Sequence, residues 1–95
     1  MVDNNSAIGH SKNVTIANPF GLHARSAAKI AKLVKKASSK VWIIKDKYKA
    51  DASRIIDTLS LAAIKDSELT LLIDDPSDIE ILNDLAKLIE NGFGE

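Results

Sequence analysis

Apolar residues change their spacing abruptly at Pro19 and Gly21, and no other feature of the chain constrains its fold as much. Before this point, from Lys12 to Asn18, Val14 and Ile16 alternate with Asn13 and Thr15, the pattern of a half-buried strand. After it, from Ala24 to about Lys36, Ala27, Ile30, Ala31 and Val34 share one helical stripe flanked by Lys29, Lys32, Lys35 and Lys36. A strand must therefore stop, turn and become a helix within a few residues, with Pro19 and Gly21 as the turn.

The same switch recurs downstream. Ser38 and Ser39 mark a turn, and Val41-Trp42-Ile43-Ile44 is a β-branched and aromatic run suited to a central strand. Lys45 to Lys47 turns into a short strand at Tyr48 to Asp51, with Trp42 and Tyr48 read as packing residues. Ser53 is the expected N-cap of a short helix from Arg54 to about Leu61. After a turn at Lys65 to Ser67, Leu69, Leu71 and Ile73 alternate inward along a strand from Glu68. Asp74-Asp75-Pro76-Ser77-Asp78 is a helix-start signal. The last helix then runs to about Asn91, with Ile79, Leu82, Leu85, Ala86 and Ile89 as its buried stripe and Gly92 as its stop. This order of elements predicts an α+β fold, an antiparallel sheet with helices on one face.

Ninety-five residues suffice for one domain, expected over residues 12–95 after a flexible polar leader at 1–11. The chain has no cysteine and no apolar run of membrane-spanning length, so a soluble protein of a reducing cytoplasm is expected; separately, a monomer is expected. Its net charge of zero conceals an asymmetry. Residues 1–50 carry ten Lys/Arg and two Asp/Glu, about +8, while residues 51–95 carry three and eleven, about −8. Such halves can steer an acidic partner or neutralise each other on folding. The lysines have no interleaved aromatics, so they do not form a nucleic-acid stacking platform. His10 lacks neighbours at ligand spacing, and helix capping accounts for the carboxylates at 74–78, so neither metal nor cofactor is expected.

The residues with most chemistry to offer stand at the first turn, where His23 and Arg25 fall at a helix N-terminus. The first amides of a helix have no intrahelical acceptor and carry partial positive charge, which suits a phosphate. That field disfavours an imidazolium, so a histidine placed there keeps a ring nitrogen free as a nucleophile. Arg25 can clamp the same anion with its planar donors. Together these groups suit phosphoryl transfer through a phosphohistidine.

Gly21-Leu22-His23-Ala24-Arg25 resembles the active-site signature of HPr, the histidine-containing phosphocarrier family of the bacterial phosphoenolpyruvate-dependent phosphotransferase system. The resemblance extends from about Lys12 to Glu95 and implies an open-faced β-sandwich, a four-stranded antiparallel sheet with three helices on one face. It also implies that His23 accepts a phosphoryl group on Nδ1 from Enzyme I and passes it to an Enzyme IIA protein in sugar uptake. Arg25 would be its electrostatic partner, and Ala24, Arg25 and Ser26 would bind the phosphate. A nitrogen-type regulatory paralogue is the alternative that the resemblance leaves open. Ile55, Ile56 and Leu59 cannot all face inward on so short a helix, and in this family that region docks partner proteins. The chain departs from the pattern at three places. Ser26 replaces the usual proline, no glycine stands near Lys47, and Arg54 occupies the position of a regulatory serine known in Gram-positive members, so serine-kinase control is not expected.

Overall fold

A computed structural model describes residues 10–95. The switches in apolar period become β1 (Ser11–Thr15), α1 (Ala24–Val34), β2 (Val41–Lys45), β3 (Tyr48–Asp51), α2 (Ile55–Ser60), β4 (Glu68–Ile73) and α3 (Ile79–Glu90). Short 3-10 turns at Pro76–Asp78 and Gly92–Gly94 bracket α3. The strands form one sheet in the order β1-β4-β2-β3, with every neighbouring pair antiparallel. Its register places Val14 opposite Leu69, Ile43 opposite Leu71, and Trp42 opposite Leu72. Three helices cover one face, as in an open-faced sandwich.

Alternation decides which side of each strand meets the helices. Val14, Val41, Ile43, Ala50, Leu69, Leu71 and Ile73 are buried and pack with Ile30 and Val34 of α1 and Leu82, Leu85, Ala86 and Ile89 of α3. Each of the larger side chains removed from water in this layer contributes about 1.5–3 kcal/mol before ordering costs. Trp42 lies on the opposite sheet face, half-buried, with Nε1 donating to Asp74 Oδ1 at 3.0 Å and the Lys49 ammonium 4.3 Å from its ring.

Five expectations are corrected. Ser11, assigned to the leader, is the first residue of β1, and Ile73 N–H donates to the carbonyl of His10 at 2.9 Å. Residues 1–9 of the expected leader lie outside the described residues. Ser53 is not a helix cap, because its N–H and Oγ both donate to Asp51 Oδ1, at 2.9 and 2.7 Å, and Arg54 takes the N-cap position. Ile79 is 40% exposed: the proline-led 3-10 turn sets the start of α3 so that Asp78, not Ile79, faces inward. The buried Asp78 carboxylate accepts from the N–H groups of Ser38 and Ser39. Tyr48 is exposed and packs little. Ala31 is half-buried, and Ser26 takes a fully buried place on α1 instead.

The β2–β3 hairpin closes without glycine because Asp46 adopts the left-handed conformation, φ 55°. Aspartate tolerates that region better than most residues.

Candidate functional site

The segment leading into α1 is held from both sides. Beyond β1, Ile16 N–H donates to Ser67 O and Asp66 N–H returns a bond to Ile16 O. Gly21 N–H closes a turn onto Asn18 O at 3.1 Å, and Leu22 N–H donates to Ala63 O at 2.9 Å. Gly21 has φ +63°, and a β-carbon there would overlap the Ala63 carbonyl oxygen, so the turn requires glycine for both conformation and space. Buried Leu22 then pins the strand-to-helix corner to the core.

His23 is the N-cap of α1, in extended backbone, and Ala27 N–H makes the first intrahelical bond to its carbonyl at 2.8 Å. The N–H groups of Ala24, Arg25 and Ser26 precede that bond and have no carbonyl within the helix to meet. Ser26 completes a capping box. Its buried Oγ accepts from His23 N–H at 2.9 Å and shares its hydrogen between the carbonyls of His23 and Gly21. The Ser26 hydroxyl is thus committed to the backbone, and Ser26 can offer an anion only its N–H.

Sequence reasoning missed Glu95. Its Oε2 lies 2.9 Å from His23 Nε2, and its Oε1 accepts from Asn18 Nδ2 at 3.2 Å. Seventy-two positions separate Glu95 from His23, so no local pattern could have joined them. A carboxylate can only accept here, so Nε2 carries a hydrogen and Nδ1 is the ring nitrogen left to act as a nucleophile. The ring is turned toward the Ser26 N–H and keeps 32% of its side-chain surface exposed. Phe20 meets its edge in a T-shaped contact, with centroids 6.1 Å apart.

Phe20, His23, Arg25 and Glu95 line one open cleft of about 550 Å³. Arg25, exposed on the first turn, therefore shares a space with the histidine. Ala24 is exposed beside it. The predicted docking residues divide: Ile56 is 76% exposed, Ile55 is 38% exposed, and Leu59 is half-buried, while Thr58 is the helix's buried residue. Ile64, 71% exposed with its backbone against Gly21, is a further exposed apolar side chain that sequence reasoning did not single out.

The lysine row is partly used within the fold, since Lys29 Nζ donates to Phe93 O at 2.7 Å and ties the last turn to α1. Among the described residues, Lys40–Asp51 is the one Lys/Arg–carboxylate ion pair, so the two charged halves do not neutralise each other by close pairing. Also among the described residues, no group of three or more His, Asp or Glu side chains could hold a metal, and no helix is long and apolar enough to cross a membrane.

Comparison with known proteins points the same way. A family model described as "PTS HPr component phosphorylation site" matches residues 10–91. Phosphocarrier protein HPr of Cupriavidus necator is 38% identical over 84 residues, covering 88% of this chain and 94% of that protein. Phosphocarrier protein NPr of Shewanella violacea is 31% identical over 84 residues, covering 88% and 92%. The crystal structure of HPr-C-His from Thermoanaerobacter tengcongensis superposes with a TM-score of 0.73 at 35% identity, covering 90% of this chain and 96% of that one.

Proposed function

The chain belongs to the HPr family of phosphocarriers of the phosphotransferase system, and we propose that His23 is its relay group, charged by Enzyme I and discharged to an Enzyme IIA protein in sugar uptake. The Nδ1 lone pair attacks phosphorus in the donor's phosphohistidine, and the donor P–N bond breaks with its electron pair returning to the donor ring. Bond formation at Nδ1 while Nε2 keeps its hydrogen makes the ring cationic. Glu95 stabilises that charge at 2.9 Å. The amides of Ala24, Arg25 and Ser26, which have no intrahelical carbonyl to meet, and the Arg25 guanidinium meet the phosphoryl oxygens. The observation that carries this reading is the contact of Glu95 with Nε2, which leaves Nδ1 beside the helix N-terminus in a cleft shared with Arg25.

Ile55, Ile56 and Leu59 dock the partners, with Ile64 and Phe20 extending the exposed apolar surface toward the histidine. A single domain that begins with β1 at Ser11 carries these parts and works in the cytoplasm. The test is incubation with phosphoenolpyruvate and Enzyme I. Acid-labile phosphate should appear on the protein and be absent from His23→Ala; no labelling, or labelling that survives the substitution, rejects the reading.

The similarity to an NPr supports a second reading, a regulatory carrier of the nitrogen-type branch. Faster charging by an Enzyme I of that branch than by the sugar-type enzyme would favour it.

A further inference from the structure

We infer that Asn18 is a positioning residue that aims the Glu95 carboxylate and thereby sets which nitrogen of His23 is free to react. Asn18 is 2% exposed, beneath the turn that carries the histidine. Its Nδ2 has two hydrogens, and both are used: one meets Gly21 O at 2.9 Å and the other meets Glu95 Oε1 at 3.2 Å. The first bond fixes the amide against the corner; the second grips one oxygen of Glu95 and leaves Oε2 toward His23 Nε2, 2.9 Å away. The Asn18 Oδ1 atom is buried without a partner, so this position uses only the donor end of the amide.

The backbone around Glu95 is held independently. Gly92 packs against Asn18, where an added β-carbon would lie 3.4 Å from the Asn18 Cβ. Phe93 is buried, and its carbonyl accepts from Lys29. Glu95 N–H donates to Gly92 O at 3.0 Å. With the turn fixed, the Asn18 donor decides how the residue 95 side chain presents itself to the ring. Donor and acceptor senses thus propagate along a line: Asn18 donates, residue 95 must accept from it, and what remains of residue 95 dictates the hydrogen on Nε2.

This logic predicts an inversion. In Glu95→Gln, Asn18 still needs an acceptor and takes the amide oxygen, which turns the amide NH2 toward His23. Nε2 must then accept, and the hydrogen of the neutral ring moves to Nδ1, with the ring turning that nitrogen off the Ser26 N–H it faces in the wild type. In the double variant Asn18→Asp with Glu95→Gln, residue 18 accepts instead. The amide reverses, its oxygen faces the ring, and Nε2–H returns.

The experiment is two-bond 15N–1H correlation on histidine-labelled, unphosphorylated protein at a pH where His23 is neutral. Wild type should show Nε2–H, Glu95→Gln should shift the population to Nδ1–H, and the double variant should restore Nε2–H. A Glu95→Gln protein that keeps Nε2–H, or a folded double variant that keeps Nδ1–H, overturns the inference. If the double variant does not fold, the single exposed substitution decides the matter alone. The consequence for transfer rests on the proposed relay: a tenfold drop in the Nδ1-free tautomer should slow phosphoryl acceptance about tenfold. The tautomer is read without phosphate, so failure of the relay leaves this result standing and the reverse also holds.

Discussion

Gly21 lies against the backbone of Ile64 with no room for a side chain between them: a β-carbon at residue 21 would stand 2.8 Å from Ile64 Cα. The loop after α2 is thus fitted to the corner that carries His23. Gly21→Ala must accept both a left-handed φ and a backbone collision. We expect it to lose about 2–3 kcal/mol in urea unfolding and to accept phosphate more slowly. Unchanged stability would mean that residues 63–64 can retreat and that the fit is not needed.

Arg25 presents the opposite case, an exposed side chain on the rim of the cleft. Arg25→Ala should leave the unfolding free energy within about 0.5 kcal/mol. If its guanidinium holds a phosphoryl oxygen, losing that charge-assisted bond should slow transfer roughly 10–100-fold. Single-turnover transfer from phosphorylated Enzyme I measures this, and an unaltered rate would free Arg25 of its assigned role.

Ile56 has 76% of its surface exposed, so the fold gains little from it. Ile56→Ser should therefore leave stability within about 0.5 kcal/mol. If Ile56 is buried against Enzyme I, the substitution should raise the KM for the carrier about tenfold and leave kcat nearly unchanged, as expected for lost uniform binding. Steady-state kinetics separate the two, and an unaffected KM would move the docking surface away from α2.

The elements were legible where apolar spacing is regular. Val14 and Ile16, or Leu69, Leu71 and Ile73, alternate cleanly, and all five are buried. Gly21 and His23 were legible because a turn and a helix start are local events. What was hidden depends on long-range or competing contacts. Glu95 reaches His23 only after α3 has returned to the first corner, and Phe93, buried with φ 60°, belongs to no periodic stripe. Ser53 has the chemistry of a cap, but the buried carboxylate of Asp51 two residues earlier captures both of its donors. Ile79 continues a helical stripe in sequence, yet the 3-10 turn before it alters the phase.

The Asp51 contact also governs acid stability. Burial alone would raise the Asp51 carboxyl, but the Lys40 ammonium at 2.8 Å and the Ser53 donors outweigh it and hold the group at about 2, against 3.8 for an ordinary aspartate. The folded value lies below the unfolded one, so this stabilisation is fully present above about pH 4 and is lost as the pH falls through about 2. A shift of this size corresponds to ~2.5 kcal/mol. The Lys40 side chain is 59% exposed, however, and solvent screening reduces the expected contribution to about 1 kcal/mol. Urea unfolding of wild type and Lys40→Met from pH 5 to pH 2 reads it directly. Near neutral pH Lys40→Met should be the less stable protein, because Asp51 stays buried with its Ser53 bonds but without its cation. As Asp51 protonates, the two proteins should converge. Parallel profiles across that range would show that the Ser53 donors alone hold Asp51 ionised.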